Sequence, residues 1–264
     1  MAIPGIESRS DSQEVSGRSS CVDDWCHVIA RRSFCRVPGA QVRSLLLQDE
    51  PLALDDWTTF QESWSRLPLD NYMADGGRYR RRRHATLSAL ASSHSYKLER
   101  QQPHYQSRTY NQLNGGVARH FEPIEASILT GSTMSSILTL GCDVFGRLSP
   151  YSDWHIEAHQ FRIELIGIKD APPTPEGTHR DGVSFAMMIM VQRCNIANGV
   201  THIYDLEGRL LDEFTLADPL DVAVINDERV YHAVTPIFPL DADRPAYRDV
   251  LVITFRHTVD RGDG

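Results

Sequence analysis

The stretch "VSFAMMIMVQRC", residues 183–194, decides the fold. It is a short apolar run entered from a Gly turn and left through polar residues, which marks a buried strand rather than a helix. Working outward, runs of the same kind fill the C-terminal half. They are "WHIEAHQFRIELIGI" (154–168), "VTHIYDLEG" (200–208), "LLDEFTL" (210–216), "DVAVIND" (221–227), "RVYHAVTPI" (229–237) and "YRDVLVITFRH" (247–257). Pro, Gly and Asp turns separate them. Before Pro150 the character differs. "CVDDWCHVIARR" and "DDWTTFQESWSRL", spanning about 22–66, space apolar residues three and four apart with acidic residues near each start, and predict helices. "EPIEASILTGSTMSSILTLGCDVFGRL" (122–148) predicts the longest helix, with Gly131 as its weak point, and "QQPHYQSRTYNQLNGG" (101–116) reads as extended up to a Gly-Gly turn. Helices followed by many short strands predict a mainly β protein with N-terminal and flanking helices, an antiparallel sandwich or cupin-like jelly-roll barrel. Such a barrel has a mouth where side chains from several strands converge on a small molecule.

The 264 residues, 41% hydrophobic, suffice for one core, so 21–264 reads as a single domain. Residues 1–20, "MAIPGIESRSDSQEVSGRSS", are Ser- and Gly-rich, lack the apolar centre of a secretory signal, and read as a disordered tail. No apolar run reaches membrane-spanning length, and a cytoplasmic chain without a membrane partner is expected. The five cysteines (Cys21, Cys26, Cys35, Cys142, Cys194) are odd in number and contain no C-x-x-C, which suits reduced thiols. A net charge of −8 argues against a nucleic-acid partner. "GRYRRRRH" (77–84) runs against that balance, but in a strand its arginines divide between two faces.

The chemistry gathers around "EGTHRDG", 176–182. In extended chain, residues i and i+2 share a face, so His179 and Asp181 can chelate one ion while Arg180 points away. His232 in "VYHAVTPI" supplies a third ligand. Two imidazoles and a carboxylate with open positions opposite form the facial triad of non-haem Fe(II) oxygenases. Arg248 heads an otherwise apolar strand and needs an anionic partner. A dicarboxylate such as 2-oxoglutarate would chelate iron with its keto-acid end and place its far carboxylate on Arg248.

Those residues resemble the Fe(II)/2-oxoglutarate-dependent dioxygenase superfamily. The wider wording, "DGGRYRRRRH", "YNQLNGGVARHFEPIE", "HQFRIE", "PTPEGTHRDG", "IYDLEGRLL", "PLDVAVINDERVYHAVTPI" and "RDVLVITFR", is similar to the branch that contains bacterial L-isoleucine hydroxylases, over roughly 53–257. Arg180 departs from it, because relatives often carry Gln there. The resemblance implies a double-stranded β-helix, Fe(II), 2-oxoglutarate and O2 as cofactor and co-substrates, ascorbate as reductant, and a free aliphatic L-amino acid as small-molecule substrate. It further implies secondary metabolism, with hydroxylation, desaturation or ring closure all starting from one hydrogen abstraction. Two other readings stand beside it: a non-catalytic jelly-roll binding or regulatory protein with a degenerate metal site, and a nucleic-acid demethylase suggested by "RYRRRRH".

Within this reading, Arg162, Arg78 and Arg80 are candidates to hold a substrate carboxylate, and His159 to line the binding wall. "WHIEAHQ" also offers His155, Glu157 and His159 on one strand face as a rival metal site. The outer two lie roughly 13–14 Å apart in a straight strand, too far to close on one ion. The methionines of "FAMMIM" read as core, and no role is assigned to His104.

Overall fold

The structure, a computed structural model, describes residues 11–258, with side chains from Ser20 onward. Helix α1 (Asp11–Arg32) carries Val22, Trp25 and Ile29 as a buried stripe at helical spacing. Of the expected tail, 1–10 lie outside the described residues, and 11–20 already belong to α1. The Ser- and Gly-rich composition concealed that start, because a helix held by its apolar stripe extends backward through residues of modest propensity. The helical pattern expected over 22–66 is also interrupted. Ser33, at φ 67, ends α1, and β1 (Phe34–Val37) intervenes before α2 (Gly39–Asp49). Asp221 caps α2 from across the chain, accepting the Gly39 N–H at 2.8 Å. Helix α3 (Trp57–Glu62) runs on into a 3-10 turn at Ser63–Arg66.

The segment expected as one helix over 122–148 breaks at its glycine into α4 (Ala126–Leu129) and α5 (Ser132–Leu148). Gly131 is extended (ψ 160), and any side chain there would strike the Asp56 carboxylate. That carboxylate accepts from Ser132 Oγ and Thr133 N–H, both at 2.9 Å, and so starts the second helix.

The remaining strands are β2 (Arg80–Ala89), β3 (Lys97–Leu98), β4 (Trp154–Glu164), β5 (Phe185–Cys194), β6 (Ile196–Asn198), β7 (Thr201–Tyr204), β8 (Leu210–Phe214), β9 (Val222–Asn226), β10 (Tyr231–Val234), β11 (Ile237–Pro239) and β12 (Tyr247–His257). A seven-stranded antiparallel sheet has the order β1-β9-β5-β12-β4-β2-β3, beside a three-stranded sheet β10-β7-β8 and a β11–β6 pair. The architecture is thus mainly antiparallel β with helices.

Side-chain alternation divides the large sheet into two faces. Met187, Ile189, Leu251, Ile253, Ile156 and Leu87 belong to the core that includes the buried side chains of α1, α2 and α5. There Gly141 of α5 lets the helix approach Phe255 closely, since a Cβ would lie 3.1 Å from that ring. Burying each large side chain of this kind contributes about 1.5–3 kcal/mol. The opposite parity gives the second face. Ala186, Met190, Ala223 and Ile225 pack with Ile203 of β7 and Phe214 of β8, which ties the small sheet to the large one. Further along β12, β4 and β2, that same parity lines a cavity.

Candidate functional site

The cavity, about 280 Å³, is walled by Arg80 and Arg82 of β2, His155 to Ile163 in alternation on β4, and Arg248 to Arg256 in alternation on β12. Met188 also reaches it, which corrects the reading of the methionines as core alone; Met187 and Met190 are fully buried. The loop carrying Tyr105, Gln106 and Asn111 covers one side. It was expected as extended chain, but is a turn-rich loop closed by a His104–Arg119 backbone pair.

His179, Asp181 and His232 come together here, each offering a ligand atom within 4.8 Å of the others'. Two backbone bonds join His179 to His232 of β10 (N–H to carbonyl, 3.0 and 2.9 Å), bringing the ring centroids to 4.4 Å. His179 sits on an isolated bridge and Asp181 just beyond it, so the pair lies on extended chain and not within a regular strand. Asp227 fixes that segment by accepting the N–H groups of Asp181, Gly182 and Val183 at 2.9, 2.8 and 3.1 Å. Gly182 has φ +81, and a Cβ there would strike the Tyr110 ring. Arg180 points away, donating to the Glu228 carbonyl and lying over Tyr110 and Tyr231.

The electrostatics suit a divalent cation. The Asp181 carboxylate faces His179 Nε2 at 3.6 Å and His232 Nε2 at 3.8 Å. Burial disfavours its charge, but hydrogen bonding to His179 and the two imidazoles hold it ionised well below the usual carboxylate range. Burial pulls His179 down, yet Asp181 outweighs it and pushes the imidazole up to about 9. Burial and then His179 press His232 down to about 4. The set thus holds one imidazole pushed up, one pressed down and one ionised carboxylate, close enough together to face a single ion. His179 Nδ1 donates to the Gly177 carbonyl at 2.9 Å, which orients its Nε2 toward the set. Gln106 Nε2 reaches the Asp181 carbonyl (2.9 Å) and Oδ1 (3.4 Å) from the covering loop.

Arg248 lies in the cavity wall, buried, with its Nε lacking any hydrogen-bond partner among the described residues. Burial, then Arg193, push it down to about 9. The neighbouring carboxylate, Asp249, points to the other face and is taken by Arg162 (2.7 and 2.6 Å). Arg248 is therefore a desolvated guanidinium in the cavity wall, with no ion pair among the described residues. Arg256 shares its face but is exposed, at the other end of the strand.

Two candidate substrate contacts require correction. Arg162 has the parity of Ala158 and Gln160, faces away from the cavity, and forms its bidentate pair with the fully buried Asp249. Arg78 is exposed and does not line the cavity. Arg80 does line it, donating to Asp70 at 2.8 Å, as does His159. Of the arginine run, Arg80 and Arg82 face inward, while Arg81 and Arg83 pair with Glu164 and Glu122. The run therefore makes no continuous basic surface. Because Arg162→Ala would leave Asp249 buried and unpaired, it is expected to destabilise the protein by about 3–5 kcal/mol. Urea unfolding reads this, and the Michaelis constants should stay unchanged.

The rival histidines acquire partners the sequence did not show. His84 and His104 join His159 around Glu157. His104 Nδ1 lies 2.7 Å from the carboxylate, His84 and His159 Nε2 each 3.4 Å and His155 Nε2 3.6 Å. The outer nitrogens decide the chemistry. Arg82 Nη2, which can only donate, lies 2.9 Å from His159 Nδ1, and Gln101 Nε2 lies 2.9 Å from His84 Nδ1. Both Nδ1 lone pairs are thereby used, so these rings turn N–H groups toward Glu157 where a metal would need lone pairs. The cluster is a carboxylate ringed by four imidazoles, with His104 in hydrogen-bond contact. Accordingly, Glu157→Gln and His159→Ala should each retain a single iron per chain by colorimetric assay. Iron-free protein from either would make this cluster the metal centre.

Gln106, Asn111, Arg119, Glu176 and Asp227 had no assigned place at the sequence level. All but Gln106 stand in quoted motifs, but nothing local distinguishes them from loop polar residues.

A family model described as 2OG-Fe dioxygenase matches residues 61–254, well over half of the chain. L-isoleucine-4-hydroxylase of Bacillus thuringiensis is 26% identical over 196 residues, covering 72% of this chain and 81% of that protein. The 3(1)-hydroxy-L-isoleucine 4-dioxygenase of Pantoea ananatis (strain AJ13355) is 23% identical over 241 residues, covering 88% and 95%. Among solved structures, a bsmA homolog from Methylobium petroleophilum PM1 aligns with a TM-score of 0.78 at 33% identity, covering 89% of this chain and 93% of that one.

Proposed function

The chain belongs to the 2OG-Fe dioxygenase family and is a non-haem iron, 2-oxoglutarate-dependent dioxygenase; we propose that it oxidises an unactivated C–H bond of a free aliphatic L-amino acid. The observation that carries this reading is the composition of the cavity. Its lining combines charged side chains, Arg82, Arg119, Glu157 and Glu176, with apolar ones, Ile163, Met188, Val234, Val250 and Val252. A free aliphatic amino acid combines the same two characters. The two relatives named for isoleucine and its hydroxylated form support the choice. In this reading the two sheets face each other as a double-stranded β-helix, with the cavity between them.

His179, Asp181 and His232 would hold Fe(II), since they supply two imidazoles and a carboxylate on one side and leave the cavity side open. Arg248 would take the far carboxylate of 2-oxoglutarate. Fe(II), 2-oxoglutarate and O2 together would supply the oxidising power, one oxygen atom leaving in succinate as CO2 is released and the other going to the substrate, or to water where the substrate loses two hydrogens. Asp227 and Gln106 hold Asp181 in position. The aliphatic wall places the substrate side chain and keeps water away from the reacting carbon.

A panel of free L-amino acids, incubated with Fe(II), 2-oxoglutarate and ascorbate, tests the reading by mass spectrometry. The expected product carries one added oxygen, or two fewer hydrogens, with matching succinate. Turnover of no amino acid on the panel would overturn it.

A further inference from the structure

Two carboxylates stand in the cavity wall apart from Asp181, and they differ in what they have left to offer. Glu157 is ringed by its imidazoles, as described above. Glu176 is not. Its Oε1 accepts from Asn111 Nδ2 at 2.9 Å, whereas its Oε2 is buried without a hydrogen-bond partner among the described residues. Unpaired donors line the same cavity: Arg119 Nε and Arg82 Nε are also buried without partners among the described residues. Arg119 and Glu176 act on one another electrostatically, as do Arg82 and Arg119. All three side chains line the cavity.

The charges here balance. Arg80, Arg82 and Arg119 stand against Asp70, Glu157 and Glu176, and Arg80 is already paired with Asp70 at 2.8 Å. A purely anionic ligand would satisfy the guanidinium donors and leave Glu176 Oε2 without a donor. A purely cationic ligand would do the reverse. A ligand bearing both signs satisfies both with charged partners, because a buried polar atom is retained at low energy only when it is paired.

We propose that Glu176 receives the ammonium group, and Arg119 with Arg82 the carboxylate, of a free α-amino acid zwitterion. This rests on the amino-acid reading above and assigns the residues that enforce it. Glu176 lies three residues before His179 on the same segment. Through Asn111 and Gln106 it is hydrogen-bonded into the network that ends on Asp181 (2.9, 3.0 and 3.4 Å). Binding the ammonium group there couples substrate arrival to the loop that positions a proposed iron ligand. It also leaves the amino-acid side chain to the apolar lining residues of the cavity. N-acylated amino acids and the matching des-amino acids lack the cation and should bind wild type more weakly than the free amino acid does.

Calorimetric titration of L-isoleucine into the anaerobic protein loaded with Fe(II) and 2-oxoglutarate tests this; the panel amino acid turned over fastest replaces it where that differs. Glu176→Gln keeps the shape and the Asn111 contact while removing the charge. It should weaken L-isoleucine binding roughly ten- to a hundred-fold, the range for a hydrogen bond to a charged group. Binding of 2-oxoglutarate should stay within about threefold, which also reports an intact fold. The des-amino analogue 3-methylpentanoate, and N-acetyl-L-isoleucine, should bind wild type and variant alike. Unchanged L-isoleucine affinity in Glu176→Gln overturns the assignment, as does an equal loss for 3-methylpentanoate. A loss confined to Glu157→Gln would move the ammonium site to Glu157. If wild type turns over no panel amino acid, the substrate reading itself falls and takes the zwitterion site with it.

Discussion

Alanine at His179, Asp181 or His232 is expected to abolish substrate-dependent succinate release while leaving a folded protein. The fold should survive because the bonds that bring the two histidines together are made by their backbones, which the substitutions retain. Asp227 likewise holds the Asp181 segment through backbone N–H groups. The activity should not survive. Three ligands are the fewest that hold iron and leave room for the co-substrate and O2, and the described residues near them offer no replacement. The loss should therefore exceed the roughly ten- to hundred-fold typical when only an outer partner of a ligand is removed. Iron content and succinate release are measured together, with a thermal melt as the control. Full iron and full activity in any one variant would remove that residue from the set.

The second large effect separates Arg248 from Arg256. Both face the cavity side of β12, but they are eight residues apart, roughly 26 Å along a straight strand, so they cannot grip one carboxylate. Arg248 is buried with an unpaired Nε, whereas Arg256 is exposed. A charged hydrogen-bonded pair is worth about 1.5–3 kcal/mol, so Arg248→Ala should raise the apparent 2-oxoglutarate constant roughly ten- to a hundred-fold. Arg256→Ala should change it by less than about threefold, since water already screens that charge. Steady-state titration of 2-oxoglutarate at saturating substrate reads both. A reversal would reassign the anchor and leave the oxygenase activity standing.

What the sequence determined by itself was local and periodic. Short apolar runs after Pro150 reported strands, because a half-buried pleated chain needs its apolar residues two apart. Gly131 marked the weak point of an expected single helix because a glycine weakens a helix, and the structure adds the break there, with the Asp56 carboxylate where a side chain would stand. The spacing of His179 and Asp181 was legible for the same reason: two side chains two residues apart in extended chain share a side. His232 and Arg248 stand at no local spacing from that pair; their residue types suggested them, and the pattern of a known family supported the choice. The tertiary structure alone decided which parity of each strand meets the cavity and which meets the helices. Arg80 and Arg162 look alike in sequence, yet Arg80 faces the cavity and Arg162 meets Asp249 on the other side. It alone gathered His84, His104 and His159 around Glu157, and left Glu176 with an unpaired oxygen. Those residues come from a strand, a loop, another strand and a turn, so no local spacing encodes their meeting. Strand order and burial bring them together, and burial turns the choice of hydrogen-bond partner into chemistry.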